Sequence, residues 1–225
     1  MITRRPANQR GSTNIGWLDS RHSFSFGMYR DNEHERFGPL RVINDDRIAA
    51  GAGFDTHPHR NMEIITVVNE GALEHRDSTG GGGVLRPGGV QVMSAGSGLT
   101  HSEFNHSQHE PVHLHQIWII PSDRGVTPRY EDRQFDVNDR LNQWQTVASG
   151  DGREGSIAIH QDAMMALATV EPGQTVRWTL DAGRIGWLPV MAGEGELNGQ
   201  TLNEADGAAI RDEQELTFTA AQRSE

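Results

Sequence analysis

Short runs of alternating or β-branched residues, each closed off by glycine or proline, recur along the whole chain. They include Leu40–Ile43, Ile64–Val68, Gly89–Met93, Val112–Ile120, Ile157–His160, Val176–Leu180 and Glu215–Phe218. With 26 glycines and 9 prolines in 225 residues, few uninterrupted windows are long enough for a helix, and evenly spaced short strands with turn signals indicate a sandwich or barrel. The helical signal at Asp139–Gln145 amounts to a turn or two. Asn198-Gly199, between Glu196-Leu197 and Thr201-Leu202, supplies a tight hairpin turn because both residues tolerate positive φ. Ser78-Thr79 followed by four glycines has no following helix and no lysine, so it reads as a flexible loop and not as a phosphate cradle. The expected architecture is all-β, two tandem antiparallel β-barrels of jelly-roll type with little helix. A polar stretch from Ser122 to Arg140 lies between them, which places the first domain at residues 1–130 and the second at 131–225.

Histidine separates the two halves. Ten of the 11 histidines precede residue 116, and His160 alone follows it. The rest of the composition narrows the chemistry. The absence of cysteine excludes disulfides, thiolate metal sites and cysteine nucleophiles. All 20 basic residues are arginines, which removes the P-loop lysine and Schiff-base catalysis. A net charge of −11 repels a phosphate backbone, and no basic run offsets it, so no direct nucleic-acid partner is expected. The first eight residues, Met1 to Asn8, lack the apolar run of a signal peptide. The longest strongly apolar stretch, about Ile117 to Ile120, falls far short of the roughly 20 residues of a spanning helix. A soluble, cytoplasmic protein with no membrane partner is expected.

Two histidine clusters carry the strongest chemical signal. In an extended segment residues two apart share a face, so His57 and His59 point the same way, and Glu63 has the same parity. Pro58 between them cannot donate to a ladder and suits an edge strand. His101 and Glu103 form a second co-facial pair. Two such pairs from different strands can converge inside a small barrel as three imidazoles and a carboxylate, a set suited to Fe(II), Ni, Mn, Cu or Zn. Spacing alone leaves the choice between Glu63 and Glu103 open. It also picks out His113-Leu114-His115, for which a structural or pocket role is expected. A nucleophilic hydrolase is disfavoured because Ala95 breaks the Gly-x-Ser-x-Gly pattern around Ser97.

The spacing of Gly51, His57-x-His59 and Glu63 resembles the first motif of the cupin superfamily, and Gly89 through Gly98-x-x-His101-x-x-x-Asn105 resembles the second. Gly71 lies one residue later than usual and the second motif lacks its common proline. Both departures fit the pirin family of two-cupin proteins. That resemblance extends over Gly16–Ser20, His22–Phe26, Leu40–Asp46, His57–Ile64, Glu74-His75-Arg76-Asp77-Ser78, Met93–Gly98, His101-Ser102-Glu103 and Gln116-Ile117-Trp118. It is close over about the first 130 residues and looser beyond them.

The resemblance implies a bicupin with one divalent transition metal in its N-terminal barrel, held by the positions matching His57, His59, His101 and Glu103. Iron(II) stands foremost, with nickel, manganese, copper, zinc or cobalt as substitutes. Glu63 is then not a ligand but lies beside the site, and the C-terminal barrel is a cupin that has lost its metal. Some bacterial pirin-like proteins and the animal pirin show quercetin 2,3-dioxygenase activity, and the animal protein is also described as an iron-dependent transcriptional cofactor. Two readings follow, and fold cannot choose between them. In the first, a metal-dependent dioxygenase opens the ring of a flavonol such as quercetin with O2 and releases carbon monoxide. Glu103 is then the catalytic residue, remaining bound or swinging off to accept the hydroxyl proton. Phe24 and Phe26, which share parity with His22, are candidates to line the barrel mouth where an aromatic substrate stacks, and at least one of them is expected to be ordinary core. In the second, a non-enzymatic metal or redox sensor docks a protein partner. A phosphosugar isomerase is disfavoured because no arginine cluster adjoins the site. Since imidazoles bind metals only when neutral, metal occupancy is expected to fall between roughly pH 6.5 and 5.

Overall fold

The computed structural model describes residues 1–225. Helix is confined to short 3-10 turns at Ala7–Gln9, Val137–Arg140 and Arg153–Gly155, and the rest of the regular structure is strand. The strands of the first half are β1 (Ile2–Arg5), β2 (Gly11–Asn14), β3 (Leu18–His22), β4 (Leu40–Ile48), β5 (Gly53–His59), β6 (Glu63–Glu70), β7 (Leu73–Asp77), β8 (Gly82–Leu85), β9 (Gly89–Ser94), β10 (Leu99–Asn105), β11 (Val112–Ile119) and β12 (Arg129–Gln134). Those of the second half are β13 (Gln145–Ser149), β14 (Ile157–Ala158), β15 (Met164–Leu167), β16 (Thr175–Thr179), β17 (Gly186–Pro189), β18 (Glu194–Leu197), β19 (Gln200–Asn203), β20 (Gly207–Ile210) and β21 (Glu215–Ala220). No helix is long and apolar enough to cross a membrane.

The chain divides into two compact units, each discontinuous in sequence. One comprises Gly11–Phe135 and Thr146–Met165, the other Met1–Arg10, Asp136–Gln145 and Ala166–Glu225. All 11 histidines, His160 included, belong to the first unit.

In the histidine-bearing unit a seven-stranded antiparallel sheet, ordered β12-β9-β6-β11-β4-β3-β2, packs against a four-stranded one, ordered β5-β10-β7-β8. Leu18, Ile48, Val68, Val112 and Leu114 of the large sheet meet Leu73 and Leu85 of the small one in a closed apolar cluster. Strand alternation then turns chemistry inward along the same rows. On β7, His75 and Asp77 continue the inward row begun by Leu73, and on β10 His101, Glu103 and Asn105 continue that of Leu99.

The histidine-free unit contains the sheets β1-β20-β17 and β16-β21-β18-β19. Its core is aliphatic and aromatic throughout, with Val176, Leu197, Leu202, Ile210, Leu216 and Phe218 at its centre. The hairpin expected at Asn198-Gly199 joins β18 to β19, and the two residues have φ of 48° and 82°, the positive values that a two-residue turn of this type demands.

Three local features differ from the sequence expectation. β4 continues past Ile43 through Asn44, Asp45 and Asp46 to Ile48, because buried polar partners such as His22, whose Nδ1 lies 2.8 Å from Asn44 Oδ1, take up the side chains that break the apolar pattern. Gly82 and Gly83 are not loop but the first half of β8. Within the polar stretch after Ser122, Arg129–Gln134 forms β12, the outer strand of the seven-stranded sheet.

Candidate metal centre

β5 is the edge of the small sheet, which accommodates Pro58. In the β5–β10 ladder His57 sits directly opposite His101 and His59 opposite Leu99. An irregularity between His101 and Glu103 sets Glu103 across from Phe54. On the other side of β10, Glu103 faces His75 and His101 faces Asp77. The three imidazoles expected from spacing therefore converge. Ring centroids are 4.9 Å apart for His57 and His59, 4.4 Å for His57 and His101, and 4.8 Å for His59 and His101. The closest approach is between His101 Nε2 and His57 Nε2, at 2.9 Å.

Glu103 adjoins this triad through His101, with which it and His75 form a second compact group of ligand-type atoms. Its carboxylate is fully enclosed. Gln91 donates to Oε1 at 3.1 Å and Gln116 to Oε2 at 2.8 Å. The two glutamines are held in turn: Gln91 donates to Thr66 and accepts from the Tyr130 hydroxyl, and Gln116 accepts from the Trp118 indole at 3.0 Å. Burial pushes the Glu103 carboxyl up to about 7, although both amide donors oppose the shift. The same burial, reinforced by neighbouring imidazoles, lowers His59 to about 4 and His101 further still. Burial also keeps His75 below its ordinary value against the pull of Asp77.

These features fit a bound divalent cation. Burial disfavours the protonated forms of His59 and His101, which leaves ring lone pairs available. His57 Nδ1 lies 2.7 Å from the Asp55 carbonyl, an acceptor that fixes its proton on Nδ1 and leaves Nε2 bare, the arrangement seen in metal-ligating histidines. Glu103 is a buried carboxyl bonded to neutral amides, whose ionised form a cation would stabilise. Three nitrogens and one carboxylate oxygen suit a first-row transition ion.

The remaining candidates separate cleanly. Glu63 is fully buried but turned to other partners: Ser94 donates to Oε2 at 2.7 Å, the His160 amide lies 3.3 Å from the same oxygen, and His160 Nδ1 is 3.4 Å from Oε1. His113 and His115 have the parity opposite to Gln116 on β11 and lie on the outer face of the large sheet. His113 Nε2 is 2.7 Å from Asp45 and His115 Nδ1 is 2.9 Å from Asn69. Asp45, His113 and His115 also form a group with ligand-type spacing. Phe24 is core, at 2 % exposure. Phe26 packs edge-on against Trp118 at 5.4 Å, and Trp118 edge-on against His59 at 4.9 Å, an aromatic path to the triad. Residue spacing did not single out Gln91, Gln116, His75, Trp118 or Tyr130 as parts of the site. His75 and Asp77 do share the His-x-Asp spacing that could have marked them.

The Pirin family model matches residues 3–119, and a model described as the quercetinase C-terminal cupin domain matches residues 146–225. The quercetin 2,3-dioxygenase of Escherichia coli K12 is 47% identical over 226 residues, covering 100% of this chain and 96% of the relative. A pirin-like protein of Caulobacter vibrioides is 42% identical over 226 residues, with 100% and 97% covered. Among solved structures, the bacterial pirin YhhW from Escherichia coli in complex with nickel(II) matches with a TM-score of 0.94 and 45% identity, over 100% of this chain and 96% of that one. The two domain matches and the two all-β units make the fold a bicupin, as expected, and the chain belongs to the pirin family.

Proposed function

We propose that this protein is a quercetin 2,3-dioxygenase-type oxidoreductase, which opens the ring of a flavonol such as quercetin with O2 and releases carbon monoxide. His57, His59, His101 and Glu103 hold its divalent metal, iron(II) foremost. The reading takes residues 1–130 as the metal-bearing cupin and 131–225 as one without a site; His160 is the one histidine after residue 130, and it belongs to the compact unit that carries the other ten. The observation that carries it is the convergence of three imidazoles beside a buried carboxyl. When bound, the metal supplies Lewis acidity that lowers the pKa of the flavonol 3-hydroxyl.

The chain's own residues do the rest. Glu103 accepts the hydroxyl proton on a carboxylate oxygen, remaining bound or swinging off to do so, the role of a carboxylate beside a metal. Gln91 and Gln116 fix the plane of that carboxylate, and Trp118 and Tyr130 fix the two glutamines. Phe26 and Trp118 present aromatic edges and faces next to His59, a surface on which a planar flavonol stacks. The relatives named quercetin 2,3-dioxygenase point the same way. The test is turnover. Protein loaded in turn with iron(II), nickel, manganese and copper is mixed with quercetin in air, while carbon monoxide and flavonol absorbance are followed. Stoichiometric carbon monoxide is expected. Tight metal binding with no turnover on any ion would overturn the enzyme reading in favour of a metal-sensing protein with a protein partner.

A further inference from the structure

The glycine-rich segment after Ser78 and the buried pair His75 and Asp77 have no role in the chemistry above, yet they form one assembly. Asp77 Oδ1 accepts three donors: the Thr79 amide at 2.8 Å, the Thr79 hydroxyl at 2.6 Å and the Gly81 amide at 3.1 Å. Its other oxygen, Oδ2, lies 3.2 Å from His75 Nε2, and both side chains are buried. His75 Nδ1 is 3.4 Å from His101 Nδ1. Tyr130 stacks flat on the His75 ring, at 4.5 Å and 12°. Gly81 permits this closure, since a Cβ there would come within 2.6 Å of Asp77 Oδ2 and 2.7 Å of Tyr130.

The direction of the first hydrogen bond is fixed by its acceptor. An ionised carboxylate only accepts, so the His75 proton sits on Nε2. A neutral imidazole carries one N–H, so His75 Nδ1 is an acceptor that an N–H on His101 Nδ1 satisfies, while His57 Nε2 competes for the same proton from the other side of the ring. With the proton on Nδ1, His101 Nε2 keeps a bare lone pair, 2.9 Å from the bare Nε2 of His57. We infer that Asp77 and His75 are positioning residues that set the His101 tautomer through a directed Asp77–His75–His101 chain, arming Nε2 for the metal. This rests on the metal-centre reading above.

Asp77→Asn is the informative change. Three donors keep Oδ1 in place, so the amide nitrogen takes the Oδ2 position and presents a donor to His75 Nε2. The chain then reverses, and the His101 proton moves to Nε2, where a metal must displace it. Nickel(II) titration and long-range 1H–15N correlation of the histidine rings in metal-free protein read the two consequences. The wild type is expected to show His101 protonated on Nδ1. Asp77→Asn should show it on Nε2, with nickel affinity down by about 10- to 100-fold, the range of losses beyond the ligand shell. A wild-type His101 protonated on Nε2 would overturn the inference without any variant. So would an Asp77→Asn protein that keeps both the tautomer and the affinity. His101→Ala separates the two layers: if it loses nickel while Asp77→Asn does not, the chain fails and the metal centre stands, whereas unchanged nickel binding by His101→Ala overturns the metal centre itself.

Discussion

Two sheet-on-sheet units lie in one chain, and their interiors have opposite character. In the histidine-free unit the inward rows carry Val176, Leu197, Leu202, Ile210, Leu216 and Phe218, a filled core with no donor set. In the histidine-bearing unit the apolar cluster around Leu73 and Leu114 gives way along β7 to His75 and Asp77, and the neighbouring β10 carries His101 and Glu103. A filled interior gains stability from burial. A polar one needs partners for its buried groups, and here Gln91 and Gln116 supply them to Glu103. The scaffold type is shared, so the side chains on the inward rows decide which unit does chemistry.

Exchanging losses between the units is the strongest way to break this contrast. His57→Ala or His101→Ala should abolish nickel binding and leave thermal unfolding of the metal-free protein nearly unchanged, because a chain of this size does not depend on the ion to fold. Leu202→Ala in the other unit should do the reverse, costing about 2–5 kcal/mol of stability from the cavity it leaves with nickel affinity intact. Isothermal titration and chemical denaturation on the three proteins check both halves. Metal loss on Leu202→Ala at a temperature where the protein is folded would erase the distinction.

Glu103→Gln gives the next effect, and its sign depends on the metal. The folded-state pKa of Glu103, about 7, lies above its ordinary value of 4.5. The folded protein therefore holds this proton more tightly than the unfolded chain, and the contribution is present at low pH and lost as pH rises from about 4.5 through 7. In metal-free protein Glu103→Gln should thus gain on the wild type between pH 5 and pH 8, by on the order of 2–3 kcal/mol. His59 runs the other way. Its folded value of about 4 lies below 6.5, so its contribution is present above 6.5 and lost as pH falls toward 4. The expected release of metal between pH 6.5 and 5 therefore changes in cause. Protonation of Glu103 begins it just below pH 7, and His59 adds to it only nearer pH 4. Nickel affinity measured from pH 8 to 4.5 should show the first step in the wild type and not in Glu103→Gln, whose affinity is lower throughout.

Glu63→Gln gives the smallest effect. Its Oε2 accepts from the Ser94 hydroxyl and the His160 amide, away from the three imidazoles. Nickel affinity should fall by less than about 10-fold, below the usual range for groups that orient a ligand. A larger loss, matched by a shift in the His59 or His101 ring signals, would place Glu63 in the site after all.

What the sequence disclosed and concealed follows from parity. His57, His59 and His101 were legible because alternate residues share a face and two such pairs can meet. The same rule also flagged His113 and His115, since parity alone does not say which face is inside. His75 was obscured by Glu74 and Arg76, whose charges make the segment resemble a solvent-facing strand although its alternate face is buried. Gln91 and Gln116 carry no titratable signal, yet they hold Glu103. β12 read as a polar separator because a strand at the margin of a sheet is often charged, and Gly82-Gly83 read as loop although their backbone pairs with β7.

Anomalous diffraction from nickel-loaded crystals, collected on both sides of the nickel edge, tests the central claim most directly. The account predicts one strong peak in the histidine-bearing unit, about 2.0–2.2 Å from a nitrogen of each of His57, His59 and His101 and from an oxygen of Glu103. A principal peak at Asp45, His113 and His115, or one bound by Glu63 in place of Glu103, would contradict it.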